Sequence, residues 1–184
     1  AVVVFDSVAG VEPQSETNWG YADEAAVPRI CFINKMDRLG ADFEKSYKSI
    51  LERLSKRAVR IQLPWGAEEK LQGVVDLIKM KAYVFEGEMG MDVREVEIPA
   101  ELVADAELYR AELVERVVEH DDALMEAFLG GVEPTVEELK ATLRKAVIGN
   151  KLFPVMTGSA LKNIGVQLVL DAVVEYLPAP TDLV

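Results

Sequence analysis

Asn34-Lys35-Met36-Asp37 places three polar side chains within four residues, and their chemistry suits one kind of ligand. A carboxylate accepts two hydrogen bonds at once, so Asp37 can face two adjacent donors on a flat heterocycle. Guanine offers that pair, a ring N–H beside an exocyclic amine, whereas adenine does not. The stem of Lys35 can lie along such a ring while its ammonium keeps a polar partner, and Asn34 can both donate and accept. A plain polar turn after a strand is the alternative for the tetrad taken alone. A second short run, Gly158-Ser159-Ala160-Leu161-Lys162, is weak evidence by itself but gains weight from its setting.

Each run follows an apolar stretch. Arg29-Ile30-Cys31-Phe32-Ile33 predicts a strand buried on both faces, the habit of parallel sheets. Residues 2–5 predict another, and a helix over 14–26, opened by Pro13, joins the two as β–α–β. Gly20 costs that helix about 1 kcal/mol against Ala, so packing around Trp19 is expected to compensate. A second helix over 42–56 carries an apolar stripe at Phe43, Tyr47, Ile50, Leu51 and Leu54, with Asp42 as N-cap.

From residue 58 the pattern changes to short strands over 59–63, 74–78 and 81–85, then helices over 99–119, 122–129 and 135–147. Thr135 and Glu138 form a capping box there, and Gly130-Gly131 stops the middle helix. A strand over 152–156 follows, where Pro154 calls for an edge position or an N–H the ladder does not need. A closing helix over 166–177 is expected to bury Val166, Val169, Leu170, Val173 and Leu177. The fold class is therefore α/β. A three-stranded parallel sheet (1–57 and 151–184) is interrupted by a small α+β insert with its own core (58–150). If the strands before Asn34 and Gly158 are neighbours, both polar loops converge on one crevice beyond their carboxyl ends.

Composition narrows the classes. Half of the 184 residues are hydrophobic and 28% are charged, ordinary for a globular protein. No apolar run approaches a membrane span. The single Cys31 falls in a predicted core strand, which suits a reducing compartment and excludes a disulfide framework. With one Cys and one His, His120, no transition-metal site is expected. Net charge is −12, and residues 86–145 carry 17 acidic against 6 basic side chains. That block repels phosphate backbones, so no direct nucleic-acid binding is expected. A solvated helical face or a protein-docking face accounts for it. Residue 1 already lies inside an apolar run without an initiator Met, so a segment of a longer protein is expected.

The two loops resemble the base-recognition motifs of P-loop GTPases. Gly10-Val-Glu-Pro-Gln-Ser-Glu-Thr17, Val27-Pro-Arg-Ile30, Asn34 through Asp42, Gly158 through Asn163 and Gly165-Val-Gln-Leu168 are similar to the bacterial elongation factor G family, the translocation GTPases of the ribosome. The resemblance covers essentially the whole chain, as the second half of that family's GTP-binding domain with its inserted subdomain. It implies a partial P-loop GTPase sheet, its last three strands with their helices. It implies that GTP or GDP is held through its base by Asn34, Lys35, Asp37, Ser159, Ala160, Leu161 and Lys162. The Ala160 N–H would meet the base carbonyl and Lys162 would cover the ring face opposite Lys35. It also implies a cytoplasmic protein coupling GTP hydrolysis to tRNA and mRNA movement. The insert would face the stalk protein of the large ribosomal subunit, with Glu112, Glu115 and Glu119 as candidate contacts.

The chain contains no G-x-x-x-x-G-K-[ST] run to cradle phosphates. Mg²⁺ would accordingly be held only through a half not present here. No catalytic residue is assigned, and the segment is not expected to hydrolyse GTP alone. Gly20 and Ile164 depart from the family's usual residues. A sister translational GTPase (ribosomal protection or release factor) stays open, as does a nucleotide-free acidic module that binds protein.

Overall fold

The computed structural model describes residues 1–183. The expected stretch 151–184 thus ends on Val184, outside the described residues.

β1 (Val2–Asp6), α1 (Pro13–Glu24) and β2 (Ile30–Asn34) form the predicted β–α–β unit, with β1 and β2 parallel from Val2↔Ile30 to Asp6↔Asn34. Ile30, Cys31, Phe32 and Ile33 are all buried, and a fully buried aliphatic or aromatic side chain contributes roughly 1.5–3 kcal/mol. Burial on both faces is why this strand shows no alternation. α2 (Phe43–Arg53) starts where Asp42 accepts a hydrogen bond from the Lys45 N–H at 3.0 Å, and it buries Phe43, Tyr47 and Ile50 against the sheet.

The parallel sheet has four strands rather than the three expected, with β8 (Phe153–Thr157) beside β2 and β3 (Ala58–Arg60) beyond it. The extra one is β3, which pairs with β8. The single strand expected over 59–63 breaks at Ile61. There the N–H still donates to Val155 at 3.0 Å, while the carbonyl accepts from Leu77 at 3.0 Å. The chain leaves one sheet for the other at that residue. Where β3 departs, the Gln62 side-chain oxygen takes over by accepting from the Thr157 N–H at 3.1 Å, which satisfies a buried donor.

β8 is therefore central and not an edge. Pro154 is tolerated by the other route: the β2–β8 ladder begins at Cys31↔Val155, so no donor is needed at Pro154.

The second sheet is an antiparallel meander of β4 (Gln62–Trp65), β5 (Gly73–Asp76), β6 (Lys81–Glu86) and β7 (Asp92–Val96). β7 was not anticipated: its exposed Asp-Val-Arg-Glu run lacks the apolar face that flags a strand. Helices α3 (Ala100–Val118), α4 (Asp122–Leu129) and α5 (Val136–Ile148) follow, the last with the expected reciprocal cap of Thr135 and Glu138. One contiguous apolar cluster runs from Phe5 and Ile30 through Val59 and Leu63 to Leu113 and Leu143.

α6 (Val166–Tyr176) closes the fold with most of the face expected, Val169, Val173 and Leu177 packing against the core. Ala172 and Tyr176 are its buried residues, and Leu170 is 62% exposed. Arg144 of α5 donates to the carbonyls of Val174, Glu175 and Leu177, serving acceptors that the last helical turn leaves unpaired.

Trp19 compensates for Gly20 as anticipated, being 3% exposed and edge-on to Phe153 at 5.0 Å. The residue that completes this packing is Arg29, 1% exposed, with its guanidinium 4.6 Å from the Trp19 ring centre and 4.7 Å from that of Phe153. Its charge is met by Asp23 at 2.8 Å and the Val27 carbonyl at 2.9 Å. A buried cation persists only when paired and hydrogen-bonded in this way.

Candidate functional site

β2 and β8 are parallel neighbours, with Ile33 opposite Thr157. Their carboxyl ends therefore deliver the two polar loops side by side. Backbone bonds lock them together: Gly158 donates to the Ile33 carbonyl at 3.2 Å, and Met36 donates to the Gly158 carbonyl at 3.1 Å. The Thr157 hydroxyl adds a bond to the Ile33 carbonyl at 3.0 Å. Across the loop tips the Asn34 side-chain oxygen accepts from the Ala160 N–H at 2.8 Å.

Lys35 sits in the left-handed region (φ +64°), uncommon for a residue with a side chain. The buried Ser7 hydroxyl holds it there by donating to the Lys35 carbonyl at 2.8 Å. Its ammonium reaches back to Asp6 at 2.9 Å, so the polar partner expected for Lys35 is a carboxylate at the end of β1. Arg38 lies 3.5 Å from the same carboxylate. Burial alone would raise the Asp6 pKa. The hydrogen bonds from Lys35, Val8 and Ala9 overcome this and hold it at about 2.

The sign of that shift fixes a pH effect. An acid whose folded pKa is depressed contributes stability above its ordinary value, lost as pH falls through the folded one. Wild type should therefore lose thermal stability between about pH 4 and pH 2 more steeply than Asp6→Asn. Melting temperatures across that range decide it, and parallel curves would show that the pair carries no folding energy.

Asp37 stands apart. Its carboxylate has no hydrogen-bond partner among the described residues, and it borders a cleft of about 390 Å³ lined also by Leu39, Ala67, Glu68, Glu69 and Lys70. In the second loop Ser159 is buried. It makes a reciprocal backbone pair with Ile164 (both 2.9 Å), and its hydroxyl accepts from the Lys162 N–H at 3.2 Å. The Ala160 N–H, expected to be free for a base, is taken by Asn34. The Leu161 N–H is the one without a partner among the described residues, and the Leu161 side chain is 83% exposed.

Asp6, Ser7 and Thr157 were missed in the sequence, although Asp6-Ser7 ends a strand at the same sheet edge. The three glutamates are elsewhere: Glu112, Glu115 and Glu119 are exposed on or just past α3, opposite its buried Leu113, Val114, Val117 and Val118. Among the described residues there is no cluster of three or more His, Cys, Asp or Glu placed to hold a metal, and no helix long and apolar enough to cross a membrane.

A parallel sheet whose adjacent strands each end in a polar loop over one crevice is the architecture of a nucleotide-binding α/β domain. The family model for the elongation factor Tu GTP binding domain matches residues 1–179, and the chain belongs to that family. A crystal structure of a protein from Thermus thermophilus is similar over 100% of this chain and 27% of that one, with 32% identity and a TM-score of 0.89. The chain thus spans about a quarter of that protein's length.

Proposed function

We propose that this chain is the guanine-reading portion of a ribosomal translocation GTPase of the elongation factor G kind. GTP and GDP are its ligands, and Mg²⁺ is bound through the phosphates and residues outside this chain. The observation that carries the reading is the bond between Asn34 and Ala160, which fixes two strand-end loops together while leaving the Asp37 carboxylate unpartnered beside an open cleft. In this arrangement Asp37 accepts from the ring N–H and exocyclic amine of guanine. Lys35, steadied by Asp6, lies along the ring, and the Leu161 N–H or a displaced Ala160 N–H meets the base carbonyl. Ser159 shapes the loop from below, and Lys162 lies on its exposed side.

The string Gly10–Thr17, together with the expected insert over 58–150, favours the translocation factor over its sister GTPases. Glu112, Glu115 and Glu119 form an exposed acidic row suited to a basic or mixed-charge stalk protein. The direct test is competition in the full-length gene product: unlabelled GDP should displace a fluorescent guanine nucleotide, and ADP should fail at 100-fold higher concentration. Equal displacement by both would refute base recognition.

A further inference from the structure

We propose that Glu68, in the turn between β4 and β5, is a positioning residue for the Asp37 loop. The proposal rests on the reading of Asp37 given above.

Glu68 grips the loop on either side of Asp37. Its N–H donates to the Met36 carbonyl at 2.7 Å, and its carboxylate accepts from the Gly40 N–H at 2.9 Å. The residues between are otherwise thinly held: Leu39 is 83% exposed, and Asp37 makes no side-chain bond to the described residues. Among the described residues the loop backbone closes on itself only through Arg38 to Lys35 and Ala41 to Arg38, each at 3.0 Å.

The turn is built to present Glu68. Gly66 has φ +84°, and a Cβ there would stand 2.1 Å from the Lys70 carbonyl oxygen, so only glycine lets the turn close this tightly. Glu68 itself adopts φ +57°, a left-handed conformation that is strained for a residue with a side chain. The same turn lines the cleft beside Asp37.

The turn between β6 and β7 lies close to the second loop and is bonded to the start of α6 just beyond it. Gln167 donates to the Gly90 carbonyl at 3.2 Å, and a Cβ on Gly90 would stand 3.0 Å from the Lys162 carbonyl oxygen. Backbone approaches backbone closely at both loops. A base contact that needs two hydrogen bonds at once depends on the carboxylate being held at one angle.

The experiment uses the full-length gene product with Glu68→Ala and Glu68→Gln. The measured quantities are the GDP dissociation rate and the ratio of affinities for GDP and inosine diphosphate, which lacks the exocyclic amine. Glu68→Ala keeps the backbone bond to Met36 but loses the acceptor for Gly40. It should release GDP about tenfold faster and narrow the GDP preference by a similar factor. Glu68→Gln retains an acceptor oxygen and should stay within about threefold of wild type.

Amide exchange in unmutated protein gives an independent reading, in which the Gly40 N–H should be protected and the Leu39 N–H should not. A lower melting temperature for Glu68→Ala with an unchanged GDP-to-inosine-diphosphate ratio would overturn the positioning role. So would a fast-exchanging Gly40. Asp37→Asn is measured in parallel. If it fails to alter base preference, the reading of Asp37 falls and this proposal with it. If it alters base preference while Glu68→Ala does not, only the role of Glu68 is wrong.

Discussion

Gly158→Ala is expected to destabilise the protein by about 3 kcal/mol or more and to abolish measurable guanine-nucleotide binding. A Cβ at this position would stand 2.1 Å from the Ile164 carbonyl oxygen and 3.0 Å from its carbon. The obstacle is backbone, with no flexible side chain to swing aside. Moving it breaks the reciprocal Ser159–Ile164 pair, and moving Gly158 instead breaks its bonds to Ile33 and Met36. Either adjustment leaves buried donors or acceptors without partners, at roughly 1–3 kcal/mol each. It also pulls the Ala160 loop away from Asn34. Gly20→Ala is the internal control. No described residue lies within 4 Å of its Cβ position, so the better helix former should leave stability unchanged or raised by up to about 1 kcal/mol. Denaturant midpoints for the two variants provide the comparison. Equal, small effects would mean that the second loop is not held as tightly as described.

The parts of the fold legible in the sequence were those governed by local patterns. The unbroken run Ile30–Ile33 marked a strand buried on both faces, Asp42 and Thr135 marked helix starts, and Asn34 fell at a strand end as expected. The parts that escaped depend on partners distant in the chain. Residues 59–63 have a uniform strand pattern, and only the approach of β8 on one side and Leu77 on the other divides them at Ile61. Leu170 fits the helical stripe as well as Ala172 does, but the packing of α6 rotates it outward. β7 buries almost nothing and is held by its ladder to β6. In the candidate site, Asp37 could be proposed from the sequence because its carboxylate chemistry does not depend on distant partners. Asp6 and Glu68 could not, because each acts on a loop 28 or more positions away.

The second large effect belongs to Asp37. Asp37→Asn preserves size while exchanging one acceptor for a donor and removing the charge. Against guanine, the new amide N–H opposes a donor of the base and leaves a desolvated mismatch. Against xanthine, which presents a ring N–H beside a carbonyl, the amide is complementary. Loss of a charge-assisted bidentate contact in a partly buried site is worth roughly 2–4 kcal/mol, or about 30- to 1,000-fold in affinity. The phosphate contacts and the fold should be untouched, since the Asp37 side chain holds no other described residue in place. The deciding measurement is the pair of dissociation constants for GDP and XDP, in wild type and in Asp37→Asn of the full-length gene product. GDP binding weakened by about 30- to 1,000-fold together with tighter XDP binding is the predicted result. Equal weakening of both nucleotides would mean that Asp37 supports its loop and does not read the base.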